Sequence, residues 1–175
     1  MRHGGYVSPV HTSIVDTFNG LPLHVLVVHA AVVAVPVAAV AAFALVRPSW
    51  RTRLRWPVAT AVAVAWLLVW LARASGEALQ QSIKDQLSVN EAAVAALDLH
   101  ISLANKLNYV LLALLVVVVV FAWLLPRLPH AAGTVGAVVI AVLAVLVIGL
   151  TAQTGEQGAR TAWNPDGSQD YSVDQ

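Results

Sequence analysis

Residues 107–125 read Leu-Asn-Tyr-Val-Leu-Leu-Ala-Leu-Leu-Val-Val-Val-Val-Val-Phe-Ala-Trp-Leu-Leu. The run carries no charge and, at about 1.5 Å per helical residue, is close to the length that crosses about 30 Å of hydrocarbon. Similar runs occupy residues 23–46, 57–74 and 135–151. Each is apolar on every face, so periodicity says little and length decides for spanning helices. Small residues at Ala137, Ala141 and Ala144 let the fourth helix approach a neighbour closely. The whole chain agrees: 175 residues are 59% hydrophobic and only 11% charged, with a mean hydropathy of +0.76. That balance leaves too little polar surface for a water-soluble domain of this size. The expected fold is all-α: an integral membrane four-helix bundle forming a single domain over residues 1–163, with a polar tail at 164–175.

Charge placement predicts the orientation, because short cytoplasmic loops next to spans carry the excess of Lys and Arg. Arg47, Arg51, Arg53 and Arg55 lie between the first two runs and Arg127 between the last two, with no acid beside them. All nine acids fall on the other side, among five bases. Both termini are therefore expected on the non-cytoplasmic side of a cell membrane. Trp50, Trp56 and Trp123 flank the basic boundary as an interfacial aromatic belt would. The segment before the first run has Arg2 as its only Lys or Arg, and a strongly basic stretch follows the run, so this helix is expected to be retained rather than cleaved as a signal peptide.

Between the second and third runs, Leu79, Ile83 and Leu87 recur at helical spacing. Ser88 and Glu91 match a capping box, with Asn90 as another cap, so a new helix should start near Glu91 and continue into the third span. The absence of cysteine excludes disulfides, thiolate metal sites and a cysteine nucleophile. A net charge of +1 argues against a nucleic-acid partner.

An internal repeat bears on where a site could form. Leu21-Pro22-Leu23-His24-Val25 reappears as Leu97-Asp98-Leu99-His100-Ile101, and Ser75-Gly76-Glu77 after the second span is echoed by Thr154-Gly155-Glu156 after the fourth. Each half reads as histidine, helix, basic turn, helix, small-Gly-Glu, which implies two hairpins related by an axis along the membrane normal. Counting along the helices places His29 just inside the outer boundary, Glu77 at it, and His24, His100 and Glu156 one to two turns above. These five are the candidate metal or haem ligands, since ionisable groups at such depth need partners or a bound ion.

The chain resembles a bacterial family of four-helix membrane proteins catalogued as domain of unknown function 2231. The resemblance rests on His24-Val25-Leu26-Val27-Val28-His29 after the Leu-Pro-Leu entry, on Ser75-Gly76-Glu77, and on Thr154-Gly155-Glu156-Gln157-Gly158-Ala159, and spans most of residues 18–163. Relatives commonly have proline after the first histidine and Phe-Pro after the second, where Val25, Ala30 and Ala31 stand here. Some carry Gly-His-Ser-Gly-Ala at Gly155-Glu156-Gln157-Gly158-Ala159. The resemblance implies an architecture and no settled activity.

Three readings follow for the five ligand candidates. They could form a site for iron, copper or zinc from two histidines and two glutamates. They could hold haem b between His24 and His100, with the glutamates as supporting partners. They could simply cap helix ends and face interfacial water. A different class of function is an accessory subunit that docks smooth Ala/Val/Leu helices against other membrane subunits, respiratory ones among them, or a homo-oligomer. It is motivated by the lack of a polar path through the lipid bilayer. An enzyme is disfavoured: Ser13, His11 and Asp16 supply catalytic residue types without triad geometry or a nucleophile elbow, and read as a polar approach to the membrane. His3 and His130 read as solvated or interfacial histidines.

Overall fold

The computed structural model describes residues 17–18, 21–87 and 91–164. His3, the trio Ser13, His11 and Asp16, the cap residues Ser88 and Asn90, and the tail beyond Asn164 lie outside the described residues, as do the side chains of Leu79, Ile83 and Leu87. The chain enters through a two-residue antiparallel ladder, β1 (Thr17–Phe18) against β2 (Leu21–Pro22), with Thr17 opposite Pro22. The described residues after it are almost all helical: α1 (Leu23–Phe43), α2 (Pro48–Leu87), α3 (Glu91–Leu124) and α4 (His130–Trp163). All four are long and apolar enough to cross a membrane. They pack in cyclic order, α1 on α2, α2 on α3, α3 on α4 and α4 on α1.

Three helices overrun the apolar runs that mark them. α2 continues through the helically spaced 79–87 segment to Leu87, α3 starts at Glu91 as expected and runs into its span, and α4 continues to Trp163. An apolar run records only the length in contact with lipid. The backbone ladder persists beyond it because Ala, Leu, Gln and Glu, which recur in these extensions, are good helix formers.

The two sharp connections are built alike. α1 ends in a 3₁₀ turn at Ala44–Val46 and α3 in another at Leu125–Arg127. Arg47 and Leu128 then turn extended, with ψ of 115° and 137°. Each precedes a proline, Pro48 or Pro129, whose ring disfavours the helical region for the residue before it. That single steric rule ends one helix and starts the next.

The core is a row of small and branched side chains at three- and four-residue spacing. α1 contributes Val35, Ala38, Ala39 and Ala42, and α2 contributes Val58, Val62 and Ala65. α3 presents Leu107, Leu111, Leu114, Val118 and Phe121, while α4 presents Ala137, Ile140, Ala144 and Val147. Ala137 and Ala144 are fully buried, and Ala141 is half-buried beside them. Gly136 sits under the Phe121 ring, where a Cβ would stand 2.7 Å from Cδ2. Lipid tails are as apolar as these residues, so close packing rather than escape from water holds such helices together. The outward faces carry Val33, Val37, Val40, Val135 and Val145, all more than half exposed, as lipid contact requires.

Candidate functional site

Two histidines at the end opposite the sharp connections are held in nearly the same way. His24, in the first turn of α1, points its Nδ1 at the Ala72 carbonyl of α2, 2.8 Å away. His100 of α3 points its Nδ1 at the Thr154 carbonyl of α4, 3.2 Å away. A carbonyl oxygen can only accept, so Nδ1 carries the hydrogen in both rings and the neutral form keeps its lone pair on Nε2. The tautomer follows from the partner.

Four residues past each acceptor lies a glycine that the ring rests on. A Cβ at Gly76 would stand 3.0 Å from His24 Cε1, and one at Gly158 would stand 2.9 Å from His100 Cε1. Four residues is about one helical turn, so the acceptor carbonyl and the bare Cα lie on one face of the receiving helix. The contacts thus match Ala72 with Thr154 and Gly76 with Gly158. Matching Gly76 to Gly155, as the small-Gly-Glu pattern does, is out of step by about one turn: among the described residues nothing lies within 4 Å of a Cβ at Gly155. The buried Ser75 adds a hydroxyl to the first histidine only. Its Oγ donates toward the carbonyls of Leu71 (2.9 Å) and Ala72 (3.0 Å) and lies 3.4 Å from His24 Nδ1.

The other three candidates are placed elsewhere. His29 donates from Nδ1 to the Val25 carbonyl of its own helix and is exposed. Glu77 pairs with Arg73 at 2.9 Å and Glu156 with Arg160 at 2.8 Å, both one turn away on the same helix and largely exposed. Among the described residues no three His, Cys, Asp or Glu side chains come together in a way that could hold a metal ion, so His24, Glu77, His100 and Glu156 do not form one ligand set here. The physical reason is local. An arginine four residues from each glutamate offers a solvated partner without any need to bury the carboxylate.

Some buried polar groups escape a reading based on charge alone. Asn108 is 5% exposed and among the described residues its Oδ1 has no hydrogen-bond partner, nor do the buried Oδ1 of Asn105 and Nε1 of Trp66. Asn105 and Asn108 lie one and two turns inward from His100 along α3, so uncharged polarity continues below the histidine level. Asn108 inside the quoted apolar run, and Asn105 just ahead of it, were the available signal.

At the opposite end, Arg51 is 5% exposed. Its Nε donates to the Leu45 carbonyl (2.8 Å) and its Nη2 to the Val46 carbonyl (3.1 Å), while Nη1 reaches Thr134 Oγ1 at 3.4 Å. The guanidinium therefore satisfies carbonyls at the end of α1 and ties them to α4. Arg47 and Arg127 lie over the rings of Trp50 and Trp123, at 4.9 and 5.4 Å from the centroids. Arg53 is exposed. No family model matches the chain, and no curated protein or solved structure matches it.

Proposed function

We propose that this chain is a multi-pass membrane protein whose His24 and His100 form a two-imidazole site that would hold a haem group. The observation that carries the reading is the matched orientation of the two rings: Nδ1–H tied to a backbone carbonyl, Nε2 left with its lone pair, one ring from each hairpin. Carbonyl-oriented imidazole is a common support for metal coordination, because it fixes both tautomer and ring direction. A bare transition ion would need further protein ligands, and Glu77 and Glu156 are turned onto Arg73 and Arg160. Two imidazoles are enough, and His24 and His100 would be the residues that hold a haem group. When bound it would supply one-electron chemistry; the chain's part is to hold the rings with Ala72 and Thr154 and to leave them room with Gly76 and Gly158.

Absorption spectra with haem and metal analysis of the purified protein test the proposal. His24→Ala and His100→Ala should each abolish the haem band and haem content, whereas His29→Ala should keep both. A folded, colourless wild-type protein free of haem and metal would refute it.

The family resemblance and the two-hairpin repeat belong to the same proposal, in which the sharp connections face the cytoplasm because five arginines there meet no acid. Single-cysteine labelling checks this directly in a cysteine-free chain. A cysteine at Thr52 should react with an impermeant reagent only in inside-out vesicles, and reaction in intact cells would reverse the topology.

A further inference from the structure

We propose that Arg51 and Arg55 form a binding site for a phosphate-bearing anion at the end of the bundle that carries the sharp connections, with Thr134 on α4 across from them. Both arginines stand on the core-facing stripe of α2, which continues inward through Val58, Val62 and Ala65. Arg55 lies one turn inward from Arg51, and its Nε is buried without a hydrogen-bond partner among the described residues. Arg51 spends three N–H groups on neutral oxygens, which leaves two of the five donors of a guanidinium for an anion.

The sequence around the two connections supplies no counter-charge. Residues 17–76 and 99–155 contain no Asp or Glu, so no carboxylate lies on the α1–α2 or α3–α4 connection or within many turns of it. A buried cation whose partners are all neutral, beside a second arginine with an orphaned donor, is an incomplete arrangement, because charges taken out of water need compensation. Arg47 and Arg127 are engaged with Trp50 and Trp123, and Arg53 is exposed, so the two inward arginines are the pair left to meet an anion. Guanidinium forks match the oxygens of a phosphate. Two sources share this chemistry: the headgroup of an anionic phospholipid, for which basic pockets between spanning helices are suited, and a soluble phosphate. The site is independent of the histidines, and its occupancy does not require haem.

Thermal unfolding of the full chain in detergent, with added phosphatidylglycerol, phosphatidylcholine or inorganic phosphate, tests the proposal. The readout is the ligand-induced rise in midpoint, so a variant with lower basal stability remains informative. Phosphatidylglycerol should raise the midpoint above the level reached with phosphatidylcholine, and Arg55→Gln should increase the lipid concentration needed for half of that rise about tenfold, while Arg53→Gln should leave it unchanged. A rise with phosphatidylglycerol alone assigns the phosphate to lipid. A rise with inorganic phosphate in a phosphatidylcholine background, lost in Arg55→Gln, assigns it to a soluble anion. Equal losses in Arg53→Gln and Arg55→Gln would reduce the effect to general surface charge and overturn the site, as would the absence of any rise with either phosphate source.

Discussion

His24 lies on Gly76 with the Ser75 hydroxyl beside it, whereas His100 lies on Gly158 with Gln157 and Thr161 reaching past it to the Ala96 carbonyl of α3. The two hairpins thus share a ring, an acceptor carbonyl and a glycine, and differ in what surrounds them. In the second hairpin, α4 continues alongside the first turns of α3 and is stitched to it at 3.4 and 3.3 Å. In the first, α1 begins at Leu23, one residue before its histidine, so no comparable length of α1 flanks the extension of α2. What recurs is what orients an imidazole; what varies is how the helix ends are tied. The interiors differ too. Between Gly20 and Gly76 the first hairpin has no glycine, and it packs through alanine, while the second places Gly133, Gly136 and Gly149 within α4.

The largest effect expected from this difference is at Gly136. Gly136→Ala would push a methyl against the buried Phe121 ring and should cost roughly 1–3 kcal/mol by thermal unfolding, because overpacking a closed contact outweighs the helix-propensity gain. An unchanged or raised midpoint would mean that α3 and α4 meet less closely at this level than the 2.7 Å approach requires.

The register of the second histidine contact gives a smaller effect with a sign. Gly158→Ala, crowding a ring at 2.9 Å, should lower stability by about 1 kcal/mol, and Gly155→Ala, with open space around it, should raise it by about 0.5–1 kcal/mol. The opposite pair of signs would restore Gly155 as the partner of His100. Gly76→Ala should fall between them, since its nearest ring atom at 3.0 Å needs only a slight retreat that the helix-propensity gain offsets.

Ser75→Ala should cost about 0.5–1 kcal/mol, the range of an ordinary hydrogen bond, and a matched Gln157→Ala measurement would show whether the differing neighbours contribute equally. The smallest effects belong to the glutamates. Glu77→Gln and Glu156→Gln should each stay within about 0.5 kcal/mol of wild type, as exposed i,i+4 pairs do, and should leave haem content unchanged. Loss of a bound metal or haem in either variant, equal to that in His100→Ala, would return the carboxylates to the site.

Much of this architecture is legible in the residues. Apolar length alone identifies four candidate membrane helices, and the shared Leu-x-Leu-His entry singles out the two histidines that the structure orients alike. The glutamates are misplaced by the sequence pattern because counting along an axis gives height but not direction. Their own neighbours hold the correction: Arg73 and Arg160 sit at the four-residue spacing that favours an exposed pair. The tripeptide match fails for a related reason, since identity in a line selects Gly155 whereas a ring spanning one helical turn selects Gly158. Arg51 is legible as a charge but not as a cap. Its partners, the carbonyls of Leu45 and Val46, become available only where a 3₁₀ turn ends the helix ahead of Pro48, a local geometry that charge counting does not include.

The paired 3₁₀–proline connections have a consequence for the order of assembly. With so few residues between one helix and the next, closing either hairpin costs little chain entropy, and the side chains that meet nearest the turn are close in sequence. Each hairpin should therefore nucleate at its proline connection and zip toward the histidine. The packing of α1 on α4, which joins the first and last of the four helices, has the largest loop to close and should form last. Refolding should show a fast phase common to both hairpins and a slower docking phase, and Gly-Ser residues inserted after Arg47 should slow the first while leaving the second nearly untouched.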